Sequence, residues 1–263
     1  MMDVQTFVIL MSGIVGLMVG SFSNVCVYRI PRGESIAFPG SHCPACDHDI
    51  AWYDNIPLLS WLILKGRCRH CSGKISARYP FLEALMGISW ALLAYHFGPT
   101  PQLFQAIILA SLLWILTLID LETGLLPNVL TLPGMVVGLL FAWWFGFLFD
   151  ALVGAAAGYG VFWLIARLFL LLTGKEGMGY GDFKLLAMLG AFMGWQALPF
   201  IVFVSSFMGV IIGLIYLKLA HKDRQAQIPF GPYLALAGML WFLWGEPILE
   251  WYMAILMGSP TLS

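Results

Sequence analysis

The sequence predicts an all-helical polytopic membrane protein of about eight transmembrane helices, with a small cytoplasmic zinc-binding loop domain between the first two. Three observations carry this. The 263-residue chain is 60% hydrophobic and only 10% charged, with a mean hydropathy of +0.87, against about 25% charged in an ordinary soluble domain. Its apolar residues gather into segments close to the roughly 20 residues that a bilayer crossing needs. Its cations, and four of its five cysteines, are confined to a few stretches between or beside those segments. A formal net charge of −1 excludes a charge-steered nucleic-acid binder, and the composition excludes disorder and a disulfide scaffold.

The spanning segments are expected at roughly 5–28, 81–97, 102–119, 127–146, 150–172, 183–196, 199–217 and 231–256. The first has no Lys or Arg ahead of it and is longer than a signal-peptide core, so it is read as a retained anchor. The domains follow: a first helix at 1–28, a loop domain at 29–80 and a helical core at 81–263. Seven cations (Arg29, Arg32, Lys65, Arg67, Arg69, Lys74, Arg78) fall between the first and second segments. Three more (Arg167, Lys175, Lys184) fall between the fifth and sixth, and the last three (Lys218, Lys222, Arg224) between the seventh and eighth. Eight crossings put all three groups on one side, which the positive-inside rule makes the cytoplasm, with both termini outside.

The sixth segment is short, with an apolar run only from Leu185 to Trp195. Parity still asks for it, because Lys184 and Lys218 should share a side, and Gln196-Ala197-Leu198-Pro199 supplies a turn between them. A re-entrant hairpin is the alternative. Glycines four apart, Gly154 with Gly158 and Gly209 with Gly213, are expected at close helix contacts. No internal repeat is visible.

The loop domain contains Cys43-Pro44-Ala45-Cys46 and Cys68-Arg69-His70-Cys71. Each CxxC turn aims two thiolates at one point, and two such turns complete a tetrahedral zinc site. Disulfides are disfavoured in a reducing cytoplasm. His42 and His70 are possible substitutes for a cysteine ligand, but four thiolates already close the shell. A loop this short buries little core, so the zinc is read as structural. Cys26, inside the first segment, is expected to be a packing residue.

Ionisable groups at the ends of spanning segments are costly and mark functional candidates. Asp120, after the apolar run ending at Ile119, and Asp182, at the end of Gly177-Met178-Gly179-Tyr180-Gly181-Asp182, both fall at the cytoplasmic face by the same parity. Two carboxylates at one depth can share a proton, one activating water while the other polarises a carbonyl, which hydrolyses an amide without a nucleophile or catalytic metal. The glycines before Asp182 would let a substrate backbone approach. Spacing alone leaves a plainer reading open: Asp182 as a helix cap and Asp120 as a hydrated interfacial residue. Gly179-Tyr180-Gly181 is not a phosphate loop, for it matches neither glycine-rich pattern.

The residues resemble the type IV prepilin peptidases, membrane aspartic proteases of the GxGD class, over nearly the whole chain. The resemblance is carried by Gly20-Ser21-Phe22-Ser23-Asn24-Val25 with Tyr28-Arg29-Ile30-Pro31, the two CxxC turns, Ile56-Pro57-Leu58-Leu59-Ser60-Trp61 and Ser76-Ala77-Arg78-Tyr79-Pro80. It continues through Asp120, Leu126-Pro127-Asn128-Val129-Leu130-Thr131, Gly179-Tyr180-Gly181-Asp182-Phe183-Lys184-Leu185 and Ile228-Pro229-Phe230-Gly231-Pro232. It implies that Asp120 and Asp182 are the catalytic pair, that Cys43, Cys46, Cys68 and Cys71 hold the family's zinc, and that the enzyme sits in the bacterial inner membrane. It further implies cleavage of the basic leader from prepilins or pseudopilins after a glycine, then N-methylation of the new terminus with S-adenosylmethionine, in the service of a pilus or type II secretion machinery. Gly66 is a candidate in the methyl-donor region, and Glu34 and Glu176 are possible helpers or merely solvated charges. The rival classes are a proton-coupled transporter, which would hold its aspartates near the bilayer midplane, and a scaffold without chemistry.

Overall fold

The computed structural model describes residues 3–174, 179–220 and 229–257. Among the described residues there is no strand, only two isolated bridges. The helices are α1 (Val4–Arg29), α2 (Leu59–Ile63), α3 (Arg78–Phe97), α4 (Pro101–Thr123), α5 (Asn128–Phe145), α6 (Leu148–Thr173), α7 (Tyr180–Met193), α8 (Leu198–Ala220) and α9 (Gly231–Met257). All but the single turn of α2 coincide with the eight expected segments. Five stretches, Val4–Arg32, Pro101–Thr123, Asn128–Phe145, Leu148–Thr173 and Trp195–Ile215, are long and apolar enough to cross a membrane. The chain is a membrane protein. It divides into two units, Met1–Ile119 and Asp120–Ser263.

In the first unit α1 packs along α3. The Asp3 carboxylate starts α1 by accepting the Thr6 N–H at 2.8 Å. Glycines then bring the two backbones together: a Cβ on Gly16 would stand 2.9 Å from the Met86 carbonyl oxygen, and one on Gly20 would stand 2.7 Å from Glu83 Cα. Small residues are what lets helices approach where no water drives them together. α3 and α4 are joined by a reciprocal pair, the Trp90 indole N–H donating to Ser111 Oγ at 3.1 Å and Trp114 to Ser89 Oγ at 3.0 Å. The seven-cation link begins with Arg29, only 8% exposed, whose guanidinium donates to the carbonyls of Ser35, Pro39 and Gly40 at 3.0, 2.8 and 3.2 Å. That clamp turns the chain back at once after α1.

In the second unit α7 is the centre. Residues 182–192 of this helix are almost all buried, except Lys184, and it packs against α5, α6 and α9. A helix apolar all round is one surrounded by other helices, which is why a run of this shortness needs no lipid-facing length. Its contact with α6 is backbone to backbone. A Cβ on Gly154 would stand 2.6 Å from the Gly190 carbonyl oxygen, one on Gly190 would overlap the Gly154 carbonyl, and one on Gly158 would stand 2.7 Å from the Leu186 carbonyl. Gly209 differs, since its Cβ would meet the Phe230 ring at an ordinary 3.4 Å. Gly194 ends α7 with φ +79, and a single 3₁₀ turn, Trp195–Ala197, supplies the expected link to α8.

Arg167, counted with the cations between the fifth and sixth segments although the expected segment 150–172 contains it, lies inside α6, where its long side chain lays the guanidinium 5.7 Å from the Trp163 ring. One boundary moves in a way that matters. Asp120, expected just beyond a segment, lies inside α4, whose last turn is closed by Gly124 at φ +67 donating its N–H to the Asp120 carbonyl. Lys175, Glu176, Lys222 and Arg224 lie outside the described residues.

The glycine contacts yield a graded expectation. Gly190→Val should overpack the α6–α7 contact and cost about 3 kcal/mol or more, whereas Gly209→Ala should change stability by less than about 0.5 kcal/mol. Thermal unfolding of the detergent-purified protein checks the order, and equal tolerance at both positions would contradict it.

Candidate active site

Asp120 is held from two directions. Its own helix brings it to the end of α4, and 111 positions later the first residue of α9 reaches it: the Gly231 N–H donates to Asp120 Oδ2 at 2.8 Å in a buried bond. The first N–H groups of a helix have no partner within it, so a carboxylate at the start of α9 fills that need. Glycine is required there by space, because a Cβ on Gly231 would stand 2.7 Å from Asp120 Oδ2 and 3.2 Å from Leu126 Cδ2. Pro232, which lacks an N–H, follows in the first turn, where none is missed.

Asp182 stands in the first turn of α7, where a carboxylate suits the helix dipole. Its N–H donates to the Gly179 carbonyl at 3.2 Å. The helix start is tied to α5 by Lys184 Nζ, which donates to Asn128 Oδ1 at 2.6 Å, and Phe183 beside it is sunk against Tyr159 and Phe162. Asp120 and Asp182 are 4% and 9% exposed, and their carboxyls lie within electrostatic reach of one another. The structure therefore brings together the two acids that the sequence singled out.

The glycines before Asp182 divide in role. The space beside Gly181 is filled by Leu126, whose Cβ would lie 2.8 Å from an added Cβ, so Gly181 serves packing and not the approach of a substrate. Among the described residues, a Cβ on Gly179 would meet only Asp182 Oδ2, at 3.6 Å. Gly177 lies outside the described residues. Nothing in the sequence signals the Gly231 bond, since Ile228-Pro229-Phe230-Gly231-Pro232 carries only the family resemblance.

The four cysteines Cys43, Cys46, Cys68 and Cys71 converge, all Sγ atoms lying within 4.8 Å of one another. Cys43 and Cys71 Sγ are 3.8 Å apart, the edge of a tetrahedron with zinc–sulfur bonds of about 2.3 Å and far beyond the ~2.05 Å of a disulfide. The donor set fits a zinc ion. The two turns are copies of one backbone: Cys43 N–H donates to His48 O as Cys68 N–H does to Gly73 O, Asp47 to Cys43 O as Ser72 to Cys68 O, and Ile50 to Ser41 O as Ile75 to Gly66 O. Asp47 and Ser72 share a positive φ, 54° and 59°. This is an internal repeat that the residue types conceal.

The Cys71 and His70 N–H groups draw the Cys68 thiol down to about 7. The His48 N–H favours the Cys46 thiolate too, yet desolvation and three neighbouring sulfurs push that thiol up to about 12. Four thiolates this close would need a cation among them. A bidentate pair, Arg69 Nε and Nη2 to Asp54 at 2.8 and 2.6 Å, braces the second turn, and this guanidinium holds the Asp54 carboxyl below its usual range. His42 Nδ1 donates to the Gly40 carbonyl, and His70 packs tilted against His48, with ring centroids 3.5 Å apart; neither belongs to the sulfur cluster.

Gly66 is explained by the turn it makes. It takes φ +66, its N–H donates to the Trp61 carbonyl at 2.9 Å, and an added Cβ would stand 2.9 Å from the Trp61 ring. Cys26 is buried at 4% exposure, as a packing residue should be. Glu34 is exposed just past Gly33, and Glu176 lies outside the described residues.

Comparison with known proteins agrees with this architecture. The family model for the Bacterial Peptidase A24 N-terminal domain matches residues 14–97, and that for the Type IV leader peptidase family matches residues 107–214. The prepilin leader peptidase/N-methyltransferase of Aeromonas salmonicida (strain A449) is 45% identical over 268 residues, covering 92% of each chain. Proteins of the same name from Aeromonas hydrophila and Pseudomonas aeruginosa are 46% and 43% identical, covering 90% and 91% of this chain and 91% of each relative. No solved structure matches. The chain belongs to the type IV leader peptidase family, and is an enzyme of the prepilin peptidase and N-methyltransferase kind.

Proposed function

We propose that this protein cleaves the leader from prepilins or pseudopilins with Asp120 and Asp182 as an aspartic dyad, at the cytoplasmic face of the bacterial inner membrane, and then methylates the new N-terminus. The observation that carries the proposal is the pair of buried carboxylates within electrostatic reach of one another in a leader peptidase. One carboxylate takes a proton from water, and the resulting hydroxide adds to the peptide carbonyl carbon while the other, protonated, donates to its oxygen. The tetrahedral adduct then collapses. The nitrogen takes up a proton, the carbon–nitrogen bond breaks, and a leader acid and a free amine leave. Gly231 positions Asp120 for this by fixing one carboxyl oxygen and leaving the other for water. The eight long helices are read as eight crossings, with both termini periplasmic.

S-adenosylmethionine would supply the methyl group, as the methyltransferase names of the relatives imply. The amine must be neutral to accept it, and partial desolvation beside the cytoplasmic loop favours that form. Gly66 acts here through the shape of the second cysteine turn. The cysteine loop has no dinucleotide-type fingerprint, so its part is to present the amine and support the donor's surface. Zinc, when bound by Cys43, Cys46, Cys68 and Cys71, supplies fold and not hydrolysis.

Asp120→Asn and Asp182→Asn should each lower leader cleavage by about 10³-fold or more while the protein stays inserted, and Gly231→Ala should lower it by displacing Asp120. Processing of a purified prepilin in proteoliposomes measures this; near-normal cleavage by either Asn variant would end the dyad assignment. A transporter or scaffold would leave the prepilin uncut.

Metal analysis of protein purified without chelators should find one zinc per chain. Cys43→Ser with Cys46→Ser should remove it and open residues 35–78 to protease while the helices stay inserted. A zinc-free wild type with an intact loop would count against the metal.

Cleavage and methylation should separate. Asp120→Asn protein is expected to methylate a supplied pre-cleaved pilin terminus, while Gly66→Ala, strained at φ +66 and against Trp61, should lose methylation before cleavage. Tritium transfer from the methyl donor reads both, and failure of folded Asp120→Asn protein to transfer label would place both reactions in one centre.

A further inference from the structure

The turn α2 combines three observations that belong to neither the dyad nor the cysteine cluster. Leu59, Leu62 and Ile63 stand at i, i+3 and i+4, so they share one face, and they are 56%, 62% and 73% exposed. The opposite side is anchored inward: Ser60 is buried, its Oγ donates to the Tyr53 carbonyl at 2.9 Å and accepts the Ile56 N–H at 3.0 Å, and Trp61 covers Gly66. Lys65 and Arg67, both exposed, follow directly.

The third observation fixes the depth of this face. The N–H of Leu58, at the start of α2, donates to Glu83 Oε2 at 2.8 Å. The Ser21 hydroxyl of α1 lies near the same carboxylate, and Glu83 Cα lies against Gly20. Ser21 is about 12 Å short of the Arg29 end of α1, at about 1.5 Å per residue. Glu83 itself lies about 7 Å inside α3 by the same measure. α1 belongs to a stretch apolar enough to cross the bilayer, and its neighbouring Met18 and Phe22 are 61% and 51% exposed. The loop therefore returns alongside α1 and α3 to a level more than a turn inside both helices. The Leu58 N–H at that level has this carboxylate as its acceptor. Leu58 adopts φ +60 to reach it, an unfavourable conformation for leucine that a fixed partner must hold.

We propose that α2 is an interfacial anchor: Leu59, Leu62 and Ile63 insert into the headgroup–acyl boundary of the phospholipid leaflet in which α1 ends, and Lys65 and Arg67 reach back to the lipid phosphates. Apolar residues on one face of a short helical segment, flanked by cations, are what such a boundary takes up. The anchor holds the cysteine loop close to the membrane, on the side where a membrane-embedded substrate would present its terminus. It rests on α1 crossing the bilayer and not on the catalytic assignment of the aspartates.

The test uses the full chain in vesicles of phosphatidylcholine with phosphatidylglycerol, with a fluorescent amino acid introduced by codon suppression at position 63, at position 18 in α1, or at position 47 in the first cysteine turn. Lipids brominated near the top of the acyl chain should quench position 63 by about twofold or more over position 47, while aqueous iodide should show the reverse order. Position 18 reports on α1 alone, so a failure of the span and a failure of the anchor give different patterns. Glu83→Leu, which removes the acceptor, should return position 63 to iodide, and Glu83→Gln, which keeps a carbonyl oxygen for Leu58, should not. Equal iodide access at 63 and 47, with position 18 still quenched by lipid, would overturn the proposal. So would lipid quenching at 63 that appears only on diluting protein in the membrane, since the face would then be covered by a second copy of the chain.

Discussion

Gly154 and Gly190 let two backbones meet, and the place of Asp182 depends on that contact. A helix that carries a carboxylate in its first turn and is covered on nearly every side must be approached very closely, because its short run leaves no room for side chains in between. Any Cβ at Gly154, Gly158 or Gly190 would hold α6 away from α7, and the aromatic cluster of Tyr159, Phe162 and Phe183 that seals the start of α7 would open with it. Burial of Asp182 is thus a consequence of glycines several turns away.

Each unit also solves one electrostatic problem in the same way. A helix start has N–H groups that want an acceptor, and in a medium without water a carboxylate from another helix is a strong one. Glu83 serves the start of α2 through Leu58, and Asp120 serves the start of α9 through Gly231. The difference lies in what else is near. Glu83 has the Ser21 hydroxyl nearby, a neutral group that does not compete with it for a proton. Asp120 has a second carboxyl within electrostatic reach, and two acids that compete for one proton are poised for chemistry. The same local motif thus supports a brace in one unit and a candidate dyad in the other.

Much of this was legible in the sequence because membrane helices announce themselves by length and apolarity. The eight helices longer than a single turn fall where the apolar runs fall, short α7 included. The aspartates and the cysteine turns were legible because charge and sulfur are rare in such a chain. What was hidden shares one cause, contact between residues remote in sequence. Gly231 with Asp120, Leu58 with Glu83 and Gly181 with Leu126 leave no periodic trace, and Gly181 looked like an opening for substrate when a leucine fills it. The repeat of the cysteine turns was hidden for a different reason: what recurs is backbone hydrogen bonding around the thiols, and His42 with Asp49 need not resemble Arg67 with Lys74 to make the same bridge.

The cysteine loop shows how little apolar core such a device needs when its ends are fixed. Arg29 spends its guanidinium on three carbonyls just after α1, Glu83 pins Leu58, and the four sulfurs close the remainder. Each clamp shortens the free chain that the next must order, and loop-closure cost falls with that length. Because α1 and α3 pack together, both ends of the loop are held by helices and not by the sulfurs, so loss of a metal from the four cysteines should loosen the two turns without releasing the helices that carry them.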